Sequence, residues 1–406
     1  MVNADQPAIP FRTQLAVYGS GMFANSMANI SGLIIPLWVS TFGASATVVG
    51  LVFGARHLLP LLLSIHGGAL MDRLGTRRVM LIFAVVNAAV PLFFPVLPYV
   101  WAAIVLQLIA GLATSMGWMG AQTLIGQVMK GSAVHAGRLT LALRLGHLVG
   151  PPVIGLIWDL GGAWAAFVAI SLWASFGFIS AIALPKPDEA ASPSKKLAVA
   201  DLLPRVSDYL AAFRMLAVSA ILFIAIVTMM RNAGNVVQTG FYVVYLDEFF
   251  GLSGTLIGVL TSAAAVVGGV GSLSVGWLLR FCSAHWLLLA TVIGSVVCIC
   301  VTPLLGSFVF LLIVSALRGA ALGVSQPLMI SILSKAVGSK VQGTSVGLRN
   351  TANRLTGFVV PLLMGVLIDF VGLANGFYAI GIIVVGLLII TGFWMARTPD
   401  ITNADR

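Results

Sequence analysis

The sequence predicts an all-α membrane protein in which twelve transmembrane helices form two six-helix repeats. Three observations carry this. Of 406 residues, 59% are hydrophobic and only 8% are charged, against roughly one quarter charged in a soluble globular domain. The apolar residues fall into twelve runs, each near the length of about 20 residues that a membrane-crossing helix needs. Two stretches of the first half also reappear in the second.

Cutting at charged or Gly/Pro-rich turns places the runs at about 14–40, 46–70, 78–96, 100–129, 138–159, 163–184, 216–246, 253–279, 284–303, 308–334, 343–369 and 373–396. Direction follows from the basic residues, because cytoplasmic loops hold the excess of Lys and Arg. Arg12, Arg73, Arg77, Arg78, Lys130, Arg138, the Lys186 to Arg214 stretch, Arg280, Lys335, Lys340, Arg397 and Arg406 all fall on one side. The opposite loops carry only Asp159, Asp247, Glu248 and Asp369, at helix ends. Both termini are therefore expected in the cytoplasm, for a multi-pass protein of the plasma (inner) membrane. The first run is too long for a cleaved signal segment and is kept as a helix.

The longest polar interruption, Pro185 to Arg214, divides the runs six to six. The expected units are a bundle over 1–184, a cytoplasmic linker over 185–215 and a second bundle over 216–406. Within the linker, Asp201 to Phe213 has leucines and Tyr209 spaced for a short amphipathic helix on the membrane surface, or it is a tether. The net charge of +10 is scattered over turns, which argues against a nucleic-acid partner. Cys282, Cys298 and Cys300 read as free thiols outside any metal-ligand spacing. No metal or cofactor is expected, and the bilayer is the main partner of a chain read as a monomer.

Phe42-Gly-Ala-Ser-Ala-Thr-Val-Val-Gly50 returns as Phe250-Gly-Leu-Ser-Gly-Thr-Leu-Ile-Gly258, and Gly68 returns as Gly276. Arg144, Pro151, Gly155, Asp159, Gly162 and Phe167 likewise have counterparts in Arg354, Pro361, Gly365, Asp369, Gly372 and Phe377. A duplicated six-helix unit is the usual construction of secondary transporters, with the cargo site between the repeats. Glycines four apart, such as Gly50 and Gly54 or Gly254 and Gly258, suit close helix crossings.

The turn after the second run reads Gly68-Ala-Leu-Met-Asp72-Arg73-Leu-Gly75-Thr-Arg77-Arg78. It resembles the G-x-L-a-D-R-x-G-R-[RK] signature of the major facilitator superfamily, with Met71 and Thr76 as departures, and the resemblance spans about 14–397. It implies that Asp72 secures a cytoplasmic gate. A carboxylate there can accept from free N–H groups at a neighbouring helix start, while Arg73, Arg77 and Arg78 pair with acids or lipid phosphate. Gly75 permits the tight turn. The matching position in the second half is Arg280, with no acid nearby, so one latch is expected to be the stronger. Gly146-His-Leu-Val-Gly150-Pro151-Pro152-Val-Ile-Gly155 resembles, in part, the Gly-Pro motif of proton-coupled drug exporters in that superfamily, which tilts the expectation toward export.

Arg56, Arg144, Arg231, Arg318 and Arg354 fall near mid-helix. Lipid exposure of all five, at roughly 2.5 to 3.5 kcal/mol each, would exceed the net stability of a typical domain. They are expected to face protein or a water-filled cavity. No embedded acid neutralises them, so the expected cargo is a small organic anion, a carboxylate or phosphate ester, gripped by the planar guanidinium fork. Arg144 and Arg354, repeat mates, are the first candidates for a clamp. Arg231, Asn235 and Gln238 share a helix stripe, and Asn25 and Asn29 form a similar one on the first helix. Arg318 fits either a binding role or bonds to backbone carbonyls, Arg56 fits the latter better, and Arg349 reads as gate or rim. His147 and His57 are candidates to carry a coupling proton, the other option being a counter-anion; more often a lone histidine is only a packing residue. Trp118 and Gln122 are candidate cavity residues. Trp38, Trp158, Trp164 and Trp394 read as interfacial anchors.

No G-x-x-x-x-G-K-[ST] loop occurs, which argues against an ATP-driven pump, so the energy is expected to come from a gradient. Gly343-Thr-Ser345-Val-Gly347 has the letters of a nucleophile elbow but opens a membrane helix instead of a strand-to-helix turn, so no enzyme is expected. The rival among carriers is a proton-coupled multidrug exporter for cationic or neutral amphiphiles, which commonly uses an embedded carboxylate that this chain lacks.

Overall fold

The computed structural model describes residues 9–129, 133–185, 214–337 and 342–398; within these, the side chains at 64–66, 68, 69, 72, 73, 133, 215, 334–337 and 342–347 lie outside the description. The first half comprises α1 (Phe11–Ser40), α2 (Ala46–Leu74), α3 (Thr76–Val96) and α4 (Val100–Gln127). Ala133–Ile182 follows, helical except at Gly162 (φ 65°, ψ −160°), which separates α5 (133–161) from α6 (163–182). The second half comprises α7 (Ser219–Gln238), α8 (Phe241–Phe250), α9 (Gly254–Leu273), α10 (Ala284–Cys300), α11 (Phe308–Val337), α12 (Gln342–Val371) and α13 (Leu373–Arg397).

Among the described residues, ten helices are long and apolar enough to cross a membrane, and one of them, Val134–Ile182, holds two crossings about Gly162. The 17-residue α10 adds the last; at 1.5 Å per residue it reaches about 25 Å, and the turn Thr302–Leu304 extends it. Twelve crossings result, with α7 and α8 making a single one. Most of the predicted linker, including 201–213, lies outside the described residues.

Two runs differ from expectation. The seventh, read as continuous over 216–246, breaks at Thr239 and Gly240, where Gly240 takes φ −137°, ψ −96°. The break is seated by the first half: Gly32 of α1 abuts Thr239, and the Phe53 ring of α2 fills the place of any Gly240 side chain. The eighth ends at Leu273 instead of 279, where the Ser274 hydroxyl bonds back to the Gly271 carbonyl (2.8 Å), leaving one turn over Val275–Leu278. Such local bonds compete with the helix ladder.

One large apolar core spans both halves, while residues nearer the N-terminus, such as Val17, Met80, Leu124 and Leu184, pack in a separate cluster of the first half alone. Trp38 belongs to the large core and corrects its reading as an interfacial anchor. It is 3% exposed and meets Phe42, Phe94 and Phe167 edge-on at 4.6, 5.4 and 5.4 Å. Trp164, at 57% exposure, does sit at the surface.

Candidate functional site

Two seams join the halves, α2 against α12 and α5 against α9, and both are built from the repeated motifs. At the end opposite the termini, the carboxylate of Asp369 on α12 accepts from the backbone N–H groups of Ala46 (2.9 Å) and Thr47 (3.0 Å) and from the Thr47 hydroxyl. Asp159 on α5 does the same for Gly254 N–H (2.7 Å), Thr255 N–H (2.8 Å) and the Thr255 hydroxyl. A helix start leaves four N–H groups without intrahelical partners. Here three at each start are taken. Ser45 supplies its hydroxyl to Val48 N–H (3.4 Å), and its carbonyl accepts the first helical bond from Val49 N–H (3.0 Å), with Ser253 repeating this for Leu256 (3.4 Å) and Ile257 (3.1 Å). Two of the three caps therefore come from the opposite half.

The other repeated letters act along the same seams. Gly43 and Gly251 adopt left-handed φ of 62° and 59°, which turns the chain into the serine cap, and Gly162 and Gly372 do so (65° and 84°) just past each aspartate. Gly50 faces the Pro361 carbonyl and Gly258 the Pro151 carbonyl, with Gly365 against Ala46 and Gly155 against Gly254. Only a residue without a side chain lets the backbones approach so closely. These latches were not singled out from the sequence, although Asp159 and Asp369 stood out there as repeat mates.

Deeper in the seams the two sides differ. Arg144 lies along Gly269 of α9 and donates to the Ala265 carbonyl (3.1 Å). Beside it, His147 shares a hydrogen bond with the Asn25 amide (3.0 Å), and the Ser262 hydroxyl reaches the carbonyls of His147 and Leu148 (3.2 and 2.9 Å). Arg354 crosses to the Ser115 hydroxyl of α4 (3.0 Å). Its charge acts on Arg56 and His57 of α2, and the His57 ring, its Nδ1 buried without a partner, packs on Gly357. Arg144 and Arg354 are thus held at separate seams. Among the described residues no hydrogen bond joins the halves nearer the termini than these two arginines.

The remaining candidates distribute as follows. Arg231 donates from Nε to the Ser325 hydroxyl (2.8 Å) on α11, and Arg318, 2% exposed, bonds Gln238 and the Gly234 carbonyl (3.2 Å) inside the second half. Asn235 and Asn29 are half-buried; Trp118 packs beside the small cluster of the first half, and Gln122 is exposed. Arg56 reaches the Ala28 carbonyl (3.2 Å). Across all five arginines the acceptors are carbonyls, hydroxyls and one amide.

At the predicted cytoplasmic turn, Gly75 has φ 85° as a tight turn requires. Arg77 corrects its expected pairing with an acid or lipid phosphate: it donates to the carbonyls of Leu184 and Ile182 (3.0 Å each), a cation at a helix C-terminus. Arg78 is exposed. Gly68, Asp72 and Arg73 are on α2, with side chains outside the described residues. Thr239, Gly240, Asn87 and Gln107, which line or flank small interior cavities near Arg56, carry no signal in the residue pattern.

The family model of the Major Facilitator Superfamily matches residues 17–242 and 221–405. The multidrug efflux pump Tap of Mycolicibacterium fortuitum is 24% identical over 413 residues, covering 97% of this chain and 98% of Tap. Quinolone resistance protein NorA of Staphylococcus aureus is 19% identical over 360 residues, covering 88% and 90%. The crystal structure of nucleoside transporter NupG superposes with a TM-score of 0.75 at 13% identity, covering 94% of this chain and 98% of NupG. Matched nearly end to end by the family model and carrying its duplicated helical bundle, the chain belongs to the major facilitator superfamily and is a multi-pass membrane protein that works as a secondary transporter of a small molecule.

Proposed function

We propose that the chain exports a small organic anion, a carboxylate or phosphate ester, from the cytoplasm by alternating access, and that it has no catalytic role. The observation that carries this is the chemistry around Arg144 and Arg354. Each guanidinium reaches across a seam, each has one neutral acceptor, and no carboxylate meets either among the described residues. An anionic cargo bound between the halves supplies the missing charge, and Arg is suited to grip it at two points. Arg231 is half-buried farther along the same interior.

With Lys and Arg marking the cytoplasmic side, the end latched by Asp159 and Asp369 is the outer one. Cargo binding from the cytoplasmic side and release of the latches complete the cycle. A gradient drives it, either a proton carried at His147 or His57 or a counter-anion. A second reading, a proton-coupled exporter of cationic or neutral amphiphiles, draws support from the relatives Tap and NorA, one named a multidrug efflux pump and the other a quinolone resistance protein.

Purified protein in liposomes separates the two. Saturable uptake of organic anions, competed by other anions and lost in the Arg144→Gln, Arg354→Gln double variant, is the expected result. Tight binding of cations, with anion transport unchanged in the double variant, sinks the anion reading and leaves the amphiphile exporter.

A further inference from the structure

The close crossing of two helices at mid-depth is built twice, once in each half. Gly111 of α4 meets the Arg56 backbone of α2, and Gly319 of α11 meets the Ala264 backbone of α9. The shift between halves is 208 positions in both helices, as it is from Phe42 to Phe250. Each crossing carries one arginine, Arg56 on one helix of the first pair and Arg318 on the other helix of the second.

Their surroundings differ. Arg318 is enclosed, with the Gln238 side-chain oxygen and the Gly234 carbonyl as acceptors and its Nε buried without a partner. Arg56 has one acceptor, the Ala28 carbonyl, and borders a cavity of about 20 Å³ between α1, α2, α3, α4 and α6. That volume holds one water-sized body, which needs about 10–15 Å³. Gln107 lines the same cavity, is 2% exposed and makes no hydrogen bond among the described residues. Asn87 also lines it and spends its oxygen on the Thr114 hydroxyl (3.2 Å), which leaves its NH₂ to donate. Ser31 adds a hydroxyl.

The groups around the cavity can thus turn N–H and O–H donors to it: Arg56, Gln107, Asn87 and Ser31. Arg354 and His57 stand close to Arg56, and no carboxylate joins them among the described residues. A water could bridge the donors, but only an anion would also offset the charge of the half-buried Arg56. We propose that this cavity is a resident site for a small inorganic anion of chloride size, which gives Arg56 the acceptor that Gln238 gives Arg318 and a counter-charge besides. The site lies inside the first half, apart from the seam where Arg144 is held, and it does not depend on the cargo being an anion.

The test uses full-length protein in detergent, with chloride exchanged for gluconate at constant ionic strength. Chloride or bromide is expected to raise the midpoint of thermal unfolding by about 2–4 °C in a saturable way, and bromide in crystals to give an anomalous peak beside Arg56 and Gln107. Arg56→Gln is expected to lose the shift. Should that variant not fold, Gln107→Leu keeps the guanidinium and is expected to weaken the halide response about tenfold, while Arg144→Gln leaves it intact. Equal midpoints in both salts, a water instead of bromide at the site, or a shift that survives Arg56→Gln and Gln107→Leu but vanishes in Arg144→Gln, overturns the proposal.

Discussion

The two seams are near copies at one end and unlike in the middle. At the latched end, Asp369 with Ser45 and Asp159 with Ser253 repeat each other bond for bond. Fifteen residues earlier on the same helices, Arg354 stands with Arg56 and His57, whereas Arg144 stands with His147 and Asn25. The difference separates two tasks. A gate between two similar bundles works best when both sides release together, so symmetry is useful there. A cargo is rarely symmetric, and the groups that meet it need not be. The seam with two guanidinium groups, against one at the other, is the one expected to bear more of the cargo's charge.

The sharpest way to break this comparison is to neutralise each arginine alone. Arg354→Gln is expected to weaken apparent cargo affinity by roughly 30 to 150-fold, the range of about 2–3 kcal/mol for truncating one partner of a buried charged pair. Arg144→Gln is expected to lose less, nearer tenfold, since a single guanidinium serves that seam. Uptake kinetics in liposomes read both. Equal losses would mean that the charge imbalance between the seams has no bearing on transport.

The latches come next. Replacing Asp159 or Asp369 by Asn leaves one acceptor oxygen where two now serve, and it removes the charge facing a helix N-terminus. For such exposed groups each change is expected to cost about 1 kcal/mol. The N–H groups released can be hydrated, which keeps the figure small. The double variant Asp159→Asn, Asp369→Asn should shift the ratio of latched to released states by roughly 30-fold. Distances between spin labels across that end measure it. The two single variants should match each other; if one matters far more, the seams are not equivalent even as gates.

Much of the fold could be read from the residues, because the spans follow from hydropathy. The break at Thr239 and Gly240 could not, since nothing local forbids a helix there; Phe53 and Gly32 of the other half impose it. Trp38 sat near a helix end and so looked like an anchor, but its partners Phe94 and Phe167 are distant in sequence. The repeats were visible as letters, yet that the Phe42 motif docks on the Asp369 motif and the Phe250 motif on the Asp159 motif is a fact of three dimensions. A known signature marks the turn at Asp72 and draws the eye away from Asp159 and Asp369. The mid-helix position of the arginines is legible in the residues, but their carbonyl and hydroxyl acceptors leave no trace in hydropathy.

The serine caps sharpen the comparison at the smallest scale. Ser45 and Ser253 each accept one N–H at a long 3.4 Å, from Val48 and Leu256, and both bonds lie within one half. The aspartates accept N–H groups of the same two helices from the opposite half. Ser45→Ala and Ser253→Ala should therefore lower stability by about 0.5 kcal/mol each, the low end for losing an N-cap at an exposed position. The cap is present whether or not the halves are latched, so the spin-label distances should not move. Midpoints of thermal unfolding and label distances taken on the same samples distinguish the two kinds of contact. A shift in distance from a serine variant would mean that the cap also holds the first turn in the geometry the aspartate needs, and that latch and helix start form one cooperative unit.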